Sequence, residues 1–278
     1  MRLGAAVAKA TERLSNCSDS ARLDAEILLC QSIDVQRSYL FAHPEDTLDE
    51  LSCGRFEDFL QRRMLGEPMA YITGLREFWS HGLLVSPATL VPRPETELLV
   101  ELTLREIPLT ADWQILDLGT GSGAIAVAIA AERQLCQITA TDISADALAI
   151  ARENVRQASL GNVTCIVGDW TEPVAAQRFR VIVSNPPYVC ADDDALQSLK
   201  YEPLSALVSG KDGLDAIRIL ARDCAVLLES DGLLLMEHGA DQQGDVASIL
   251  AAERWQNIAC HNDLAGEPRV TVARRDGK

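Results

Sequence analysis

The stretch Gln114-Ile-Leu-Asp-Leu-Gly-Thr-Gly-Ser-Gly-Ala-Ile-Ala-Val-Ala-Ile-Ala-Ala-Glu132 decides the fold. Ile115–Leu118 is a short apolar run that reads as a strand, and Ala124–Glu132 reads as an Ala-rich helix. Between them Gly119, Gly121 and Gly123 make a tight turn and let a ligand approach the backbone. The helix N-terminus behind such a turn favours a negatively charged group. The spacing also satisfies a dinucleotide fingerprint, so at this point a nicotinamide cofactor stays open. Towards the C-terminus the alternation continues. Gln137–Thr141, Val163–Val167, Arg180–Ser184 and Gly232–Met236 read as strands; Ala145–Gln157, Gly213–Leu228 and Gln243–Ala252 read as helices. Ile258–Cys260 and Val270–Ala273 read as a final pair of strands. Such alternation predicts an α/β fold, an open parallel sheet covered by helices on both faces. Ligands of these sheets bind beyond the carboxyl ends of the strands.

Towards the N-terminus the pattern changes. A helix is expected after Pro92 and Pro94, with Glu95 and Glu97 in its first turn and Leu98, Leu99 and Leu102 on its buried face. Ile72–Leu75 and Leu83–Val85 read as strands of a hairpin. Before them the chain reads as helical. Leu3, Val7, Ala10 and Leu14 form one stripe, and Asp24–Ser32 carries Ile27, Leu28 and Leu29. Thr47-Leu-Asp-Glu50 has the spacing of a capping box, opening a helix through Phe56, Phe59 and Leu60 to Gly66. The expected organisation is a small helical domain over residues 1–75, a hairpin linker over 76–93, and the α/β domain over 94–278.

Composition narrows the function classes. The 278 residues are 47% hydrophobic and 24% charged, which is globular and not disordered. The formal net charge of −16 argues against a broad nucleic-acid surface, which needs Lys/Arg stripes. Eight Cys are scattered with no C-x-x-C pair, so no metal site is expected and a reducing, cytoplasmic setting is. No apolar run approaches the length of a membrane span, and Lys9, Glu12 and Arg13 interrupt any leader-like start.

Three further positions sit where strands end. Asp142 follows the second strand about 20 residues after the Gly loop, where a carboxylate accepts both hydroxyls of a ribose. Asp169-Trp170 follows the third strand and offers an acceptor for an exocyclic amine and a face for a flat ring. Asn185-Pro186-Pro187-Tyr188 follows the fourth. Prolines have no N–H to give to a ladder, so this is a stiff strand exit with free carbonyls. The Asn185 side-chain oxygen and the Pro186 carbonyl can accept the two hydrogens of a planar NH2 group, with Tyr188 packed on its face. Glu237-His238-Gly239 follows the fifth strand; its His reads as structural.

On these residues the sequence resembles the amino-methylating S-adenosyl-L-methionine-dependent methyltransferases. Arg76-Glu-Phe-Trp79, Val85-Ser-Pro-Ala-Thr-Leu-Val-Pro-Arg-Pro-Glu-Thr-Glu97 and Tyr201-Glu-Pro-Leu-Ser-Ala-Leu207 are similar to segments of the HemK/PrmC family, the peptide chain release factor glutamine N5-methyltransferases. The resemblance implies a Rossmann-like methyltransferase sheet and S-adenosyl-L-methionine as cofactor. It implies class-1 release factors as partner, with the glutamine of their Gly-Gly-Gln loop as the methylated residue. By carry-over, Gly119, Thr120, Gly121, Ser122 and Gly123 line the methionine part of the cofactor, Asp142 its ribose and Trp170 its adenine, with Asp169 as amine acceptor. Asn185 touches both cofactor and substrate. Asn185, Pro186 and Tyr188 are the catalytic set, and Pro187 completes the amide slot. The helical domain is expected to recognise the release factor. Four competing readings share parts of the pattern: a glutamine methyltransferase acting on a ribosomal protein, an N6-adenine nucleic-acid methyltransferase, a nicotinamide-dependent dehydrogenase, and a non-catalytic binding module.

Overall fold

The computed structural model describes residues 1–275. The chain divides into two units, Met1–Leu75 and a second that begins at Arg76. The first holds helices α1 (Leu3–Leu14), α2 (Ala21–Ile33), α3 (Arg37–Ala42), α4 (Glu50–Met64) and α5 (Met69–Thr73). Its core is built from Leu3, Ala6, Ala10 and Leu14 of α1 against Leu28 and Leu29 of α2 and Phe56 and Leu60 of α4. The charges α2 buries are paired: Asp24 with Arg63, and Glu26 with Arg22 and Arg37. Two expectations fail here. The cap of α4 is Asp49, whose carboxylate accepts the Ser52 N–H at 2.7 Å, while Thr47 is drawn into a bridge with Arg2 and cannot cap. Ile72 is helical rather than extended, because the chain after Pro68 makes one more helical turn and starts its strand only at Leu75.

Beyond the boundary follow the hairpin β1 (Leu75–Phe78) and β2 (His81–Leu84), α6 (Glu97–Glu106), β3 (Gln114–Leu118), α7 (Ala124–Glu132), β4 (Gln137–Asp142), α8 (Ala145–Gln157), β5 (Val163–Val167), β6 (Phe179–Ser184), α9 (Asp215–Leu227), β7 (Leu228–Glu237), α10 (Gln243–Ala252), β8 (Gln256–Asn262) and β9 (Pro268–Arg274). The large sheet has the order β5-β4-β3-β6-β7-β9-β8 among the described residues. β5, β4, β3, β6 and β7 are parallel. The sheet is not parallel throughout: β9 runs antiparallel to β7, and β8 antiparallel to β9. The short link from Asn262 to Pro268 is the reason, since it suffices for a hairpin but not for a crossover.

Side chains of a strand alternate between faces, so a strand covered on both sides must be apolar at consecutive positions. Ile115, Val181, Val183, Leu233 and Leu235 enter the core under α6 and α7. Their neighbours Leu116, Ile182, Leu234 and Met236 enter the core under α9 and α10. Helix α7 is buried from Ala124 to Ala130, which explains its Ala-rich, all-apolar sequence.

Two sites hold left-handed backbone, one with glycine and one without it. Gly123 has φ +81°, and a Cβ there would lie 3.1 Å from the Ala151 Cβ of α8. Trp79 and Ser80 form the hairpin turn with φ 49° and 61° but no glycine. Glu97 holds that turn by accepting the Trp79 N–H at 3.0 Å. Gly123→Ala is therefore expected to lower the unfolding free energy by about 2 kcal/mol or more, and Ser80→Gly to raise it by roughly 1 kcal/mol. Urea melts with unchanged slope check both, and shifts of the same sign would contradict this reading.

Candidate functional site

Winding from β3 goes one way to β4 and β5 and the other way to β6 and β7, so the carboxyl ends of β3 and β6 flank the switch point of the sheet. A cavity of about 290 Å³ opens there. It is lined by Gly119–Ser122 after β3, Asp142 at the end of β4, Asp169 and Trp170 after β5, and Asn185 and Pro187 after β6. Ala88–Leu90, Pro92, Arg93 and Thr96 form another wall, and Pro203, Ser205 and Ala206 a third.

The Gly loop is held from below. Asp117 is fully buried and accepts from the Thr120 hydroxyl at 2.6 Å, while its Oδ1 has no hydrogen-bond partner among the described residues. Burial pushes its pKa up to about 7 against the pull of the Thr120 bond. Gly119 has φ +69°, and a Cβ there would come within 3.3 Å of the Trp170 ring, so only glycine lets the indole close on the loop. Asn154 of α8 donates to the Ser122 carbonyl at 2.8 Å and exchanges two bonds with Leu84. The Asp142 carboxylate is fixed by the N–H groups of Gly121 and Ser144, each at 2.8 Å. An acceptor so anchored does not have to be ordered by its ligand.

At the β6 exit the Asn185 Nδ2 donates to Thr96 Oγ1 at 3.1 Å. The Tyr188 hydroxyl donates to Glu237 Oε1 at 3.2 Å, and the Tyr188 carbonyl accepts from Gln242 Nε2 at 3.0 Å. Burial raises the Tyr188 phenol well above its ordinary value, reinforced by the Glu237 charge. Three of the sequence-expected residues do not line the cavity. Gly123 caps α7 and packs on Ala151, Pro186 is buried, and Tyr188 turns its hydroxyl to Glu237. His238 has both ring nitrogens engaged, with the Gly239 carbonyl and the Thr271 hydroxyl at 2.8 Å each, in keeping with a structural His.

Sequence reading missed Glu202. Its side chain is only 2% exposed. One oxygen accepts the Val91 N–H at 3.0 Å, and the other is bonded to the Arg93 guanidinium. One buried carboxylate thus ties the Ala88–Arg93 wall to the Pro203–Ala206 wall. A Glu beside Pro203, paired with an Arg between prolines, was the signal, but nothing in the spacing joins positions so far apart. Thr96 is equally silent in the sequence, because its partner Asn185 lies far along the chain. Among the described residues no helix is long and apolar enough to cross a membrane.

Residues 5–74 match the family described as PrmC N-terminal domain, and residues 94–209 match the Methyltransferase small domain. The chain is 43% identical to the release factor glutamine methyltransferase of Coxiella burnetii over 95% of this chain and 96% of that protein. It is 45% identical to the protein of the same name in Vibrio cholerae, over 96% and 95%. Among solved structures, a methyltransferase from Pyrococcus furiosus covers 79% of this chain and 99% of its own with a TM-score of 0.55; at 18% identity this speaks for the fold alone.

Removing the Glu202 acceptor should loosen the wall it holds. Glu202→Ala is expected to speed amide exchange at Val91 by roughly tenfold or more, the effect of losing one buried charge-assisted bond. Hydrogen exchange read by NMR checks this, and unchanged protection at Val91 would contradict it.

Proposed function

The chain belongs to the release factor glutamine methyltransferase family, and from that premise we propose that it methylates the side-chain amide nitrogen, N5, of the glutamine in the Gly-Gly-Gln loop of class-1 release factors, with S-adenosyl-L-methionine as donor. One observation carries the reading: a single cavity at the switch point brings the Gly loop, Asp142, Trp170 and Asn185 together. The donor set fits the cofactor. Asp142 is an anchored acceptor pair for ribose hydroxyls, Trp170 an aromatic wall for adenine, and Gly119–Ser122 an open backbone for the methionine part. When bound, the cofactor supplies a methyl group already activated by a sulfonium.

The chain's task is therefore the nucleophile. An amide nitrogen is a poor one, because its lone pair is delocalised into the carbonyl. Asn185 Oδ1, which faces the cavity, accepts an N–H of the substrate amide and turns the nitrogen towards the donor. Polarised N–H bonds also stabilise the positive charge that grows on nitrogen. This is orientation and electrostatic stabilisation rather than general-base catalysis. The proton leaves afterwards to water. Pro187 narrows the slot to a flat group. The helical unit, residues 1–75, recognises the release factor.

Asn185→Ala is expected to lower the methylation rate roughly 100-fold or more, the scale of one transition-state hydrogen bond, with S-adenosylhomocysteine affinity changed less than about threefold. Mass spectrometry of a release factor after reaction reads the single methyl on the loop glutamine, and near-normal turnover of the variant would contradict the role. If the helical unit recognises the factor, the intact factor has a kcat/KM at least about tenfold above that of a short Gly-Gly-Gln peptide, an increment of about 1.4 kcal/mol in transition-state binding. Equal values would contradict that part of the proposal.

A further inference from the structure

Among the described residues one cationic side chain lines the cavity, Arg93. A lone guanidinium there would repel a sulfonium donor, but this one is neutralised in place. Glu202, 2% exposed, is bonded to Arg93 Nη2 through one oxygen and accepts the Val91 N–H at 3.0 Å through the other. A guanidinium carries five N–H donors in a rigid fork. Among the described residues the Arg93 fork donates to Glu202 alone, and the side chain keeps 34% of its surface open. Its remaining donors therefore stand at a cavity wall with their charge already cancelled.

Position decides which end of the cavity they serve. The sheet order sets Trp170, after β5, and Asn185, after β6, on opposite sides of β3. Arg93 immediately precedes the turn Pro94–Thr96, whose Thr96 hydroxyl accepts from Asn185 at 3.1 Å. Glu202 precedes the Pro203–Ala206 wall, and that wall runs into the segment bonded to Val189, the residue after Tyr188. The Val189 N–H donates to the Leu207 carbonyl at 2.8 Å, and the Ser209 N–H to the Val189 carbonyl at 3.0 Å. Both ends of the ion pair are thus fastened to the Asn-Pro-Pro-Tyr corner, on the substrate side of the cavity.

Charge decides what they bind. A carboxylate, such as that of the methionine part of the donor, would feel Glu202 as well as Arg93 and gain little from a pair already neutral. An uncharged acceptor meets no such opposition. The glutamine enters its slot carried by a chain, and the glycines beside it leave their carbonyls bare. The glutamine's own side-chain oxygen is the wrong acceptor, since a cation bonded to it would draw the nitrogen lone pair further into the carbonyl. We propose that Arg93 is a substrate-binding residue: its free N–H groups hold a main-chain carbonyl of the glutamine-bearing loop beside Asn185, while Glu202 orients the guanidinium and cancels its charge. This rests on the reading of the release-factor loop as substrate. A main-chain carbonyl is unchanged by methyl transfer. The bond is therefore as strong in the ground state as in the transition state, and it shows in KM and not in kcat.

The test uses the full chain with an intact release factor and with a short Gly-Gly-Gln peptide. One variant combines Arg93→Met with Glu202→Gln, so that no charge is left buried alone and the Gln oxygen can still accept the Val91 N–H. The other, Arg93→Lys, keeps a cation for Glu202 and loses the fork. Expected for the double variant is a KM at least about tenfold higher, by the same factor within about threefold for factor and peptide, the scale of one charge-assisted bond. Its kcat and its Kd for S-adenosylhomocysteine stay within about threefold of the parent. Arg93→Lys raises KM at least about fivefold, because one nitrogen replaces the fork. Parent-like KM in the double variant, or a rise seen with the factor but not with the peptide, overturns the proposal. So does a tenfold loss of S-adenosylhomocysteine affinity, which would assign the guanidinium to the donor's carboxylate. Parent-like KM in Arg93→Lys would reduce the pair to a tie between walls and overturns it as well. Should the double variant not fold, Arg93→Lys decides alone. A parent chain that leaves the loop glutamine unmethylated fails the substrate reading, and this proposal with it; methylation by the parent with parent-like variants fails this proposal alone.

Discussion

A primary amide yields its nitrogen to an electrophile only when something holds its hydrogens, and on our reading the rest of the molecule is arranged around that constraint. The grip has to be uncharged, because a charged base would compete for the cationic donor. It also has to be stiff, because a mobile acceptor would follow the ground state as readily as the transition state. The β6 exit meets both needs. Two prolines remove backbone freedom, and the Asn185 and Tyr188 side chains are tied back to groups under the loop.

Buried carboxylates provide that stiffness at three strand ends or walls. Asp117 holds Thr120 under the Gly loop, Glu202 joins two walls of the cavity, and Glu237 stands beneath the Asn-Pro-Pro-Tyr corner. Among the described residues, two of them leave an oxygen without a partner, Asp117 Oδ1 and Glu237 Oε2. Polar atoms buried in this way are costly, since they forgo water without a full set of replacement bonds. Both lie at the carboxyl edge of the sheet, while the cores on its two faces are built almost wholly from Leu, Ile, Val and Ala. These two unmet oxygens stand at the edge of the sheet where the ligands are expected to bind.

Much of this arrangement can be read from the chain. Helix α8 and strand β5 fall at the expected residues because local pattern alone sets them: an Asp-rich, Ser-capped start for one, a β-branched run for the other. Strand β7 begins sooner than its Gly232 suggests, since the sheet recruits Leu228 opposite Phe179. The Trp79–Ser80 turn is invisible in sequence, as its left-handed backbone is imposed by Glu97 and not by glycine. The same division holds at the cavity. Gly119, Asp142, Trp170 and Asn185 announce themselves by standing just after strands. Glu202, Thr96 and Glu237 act across long sequence separations, on Val91, Asn185 and Tyr188, and no local pattern reports such pairings.

The central claim is that one cavity holds the spent donor beside the carboxamide of Asn185. A crystal structure of the chain grown with S-adenosylhomocysteine tests it most directly. The adenine is expected against Trp170, the ribose hydroxyls on Asp142, and the sulfur facing the side of the cavity where Asn185 presents its oxygen. The compound bound away from the β3 and β6 ends, or Asn185 found with its oxygen turned to Thr96, would contradict it.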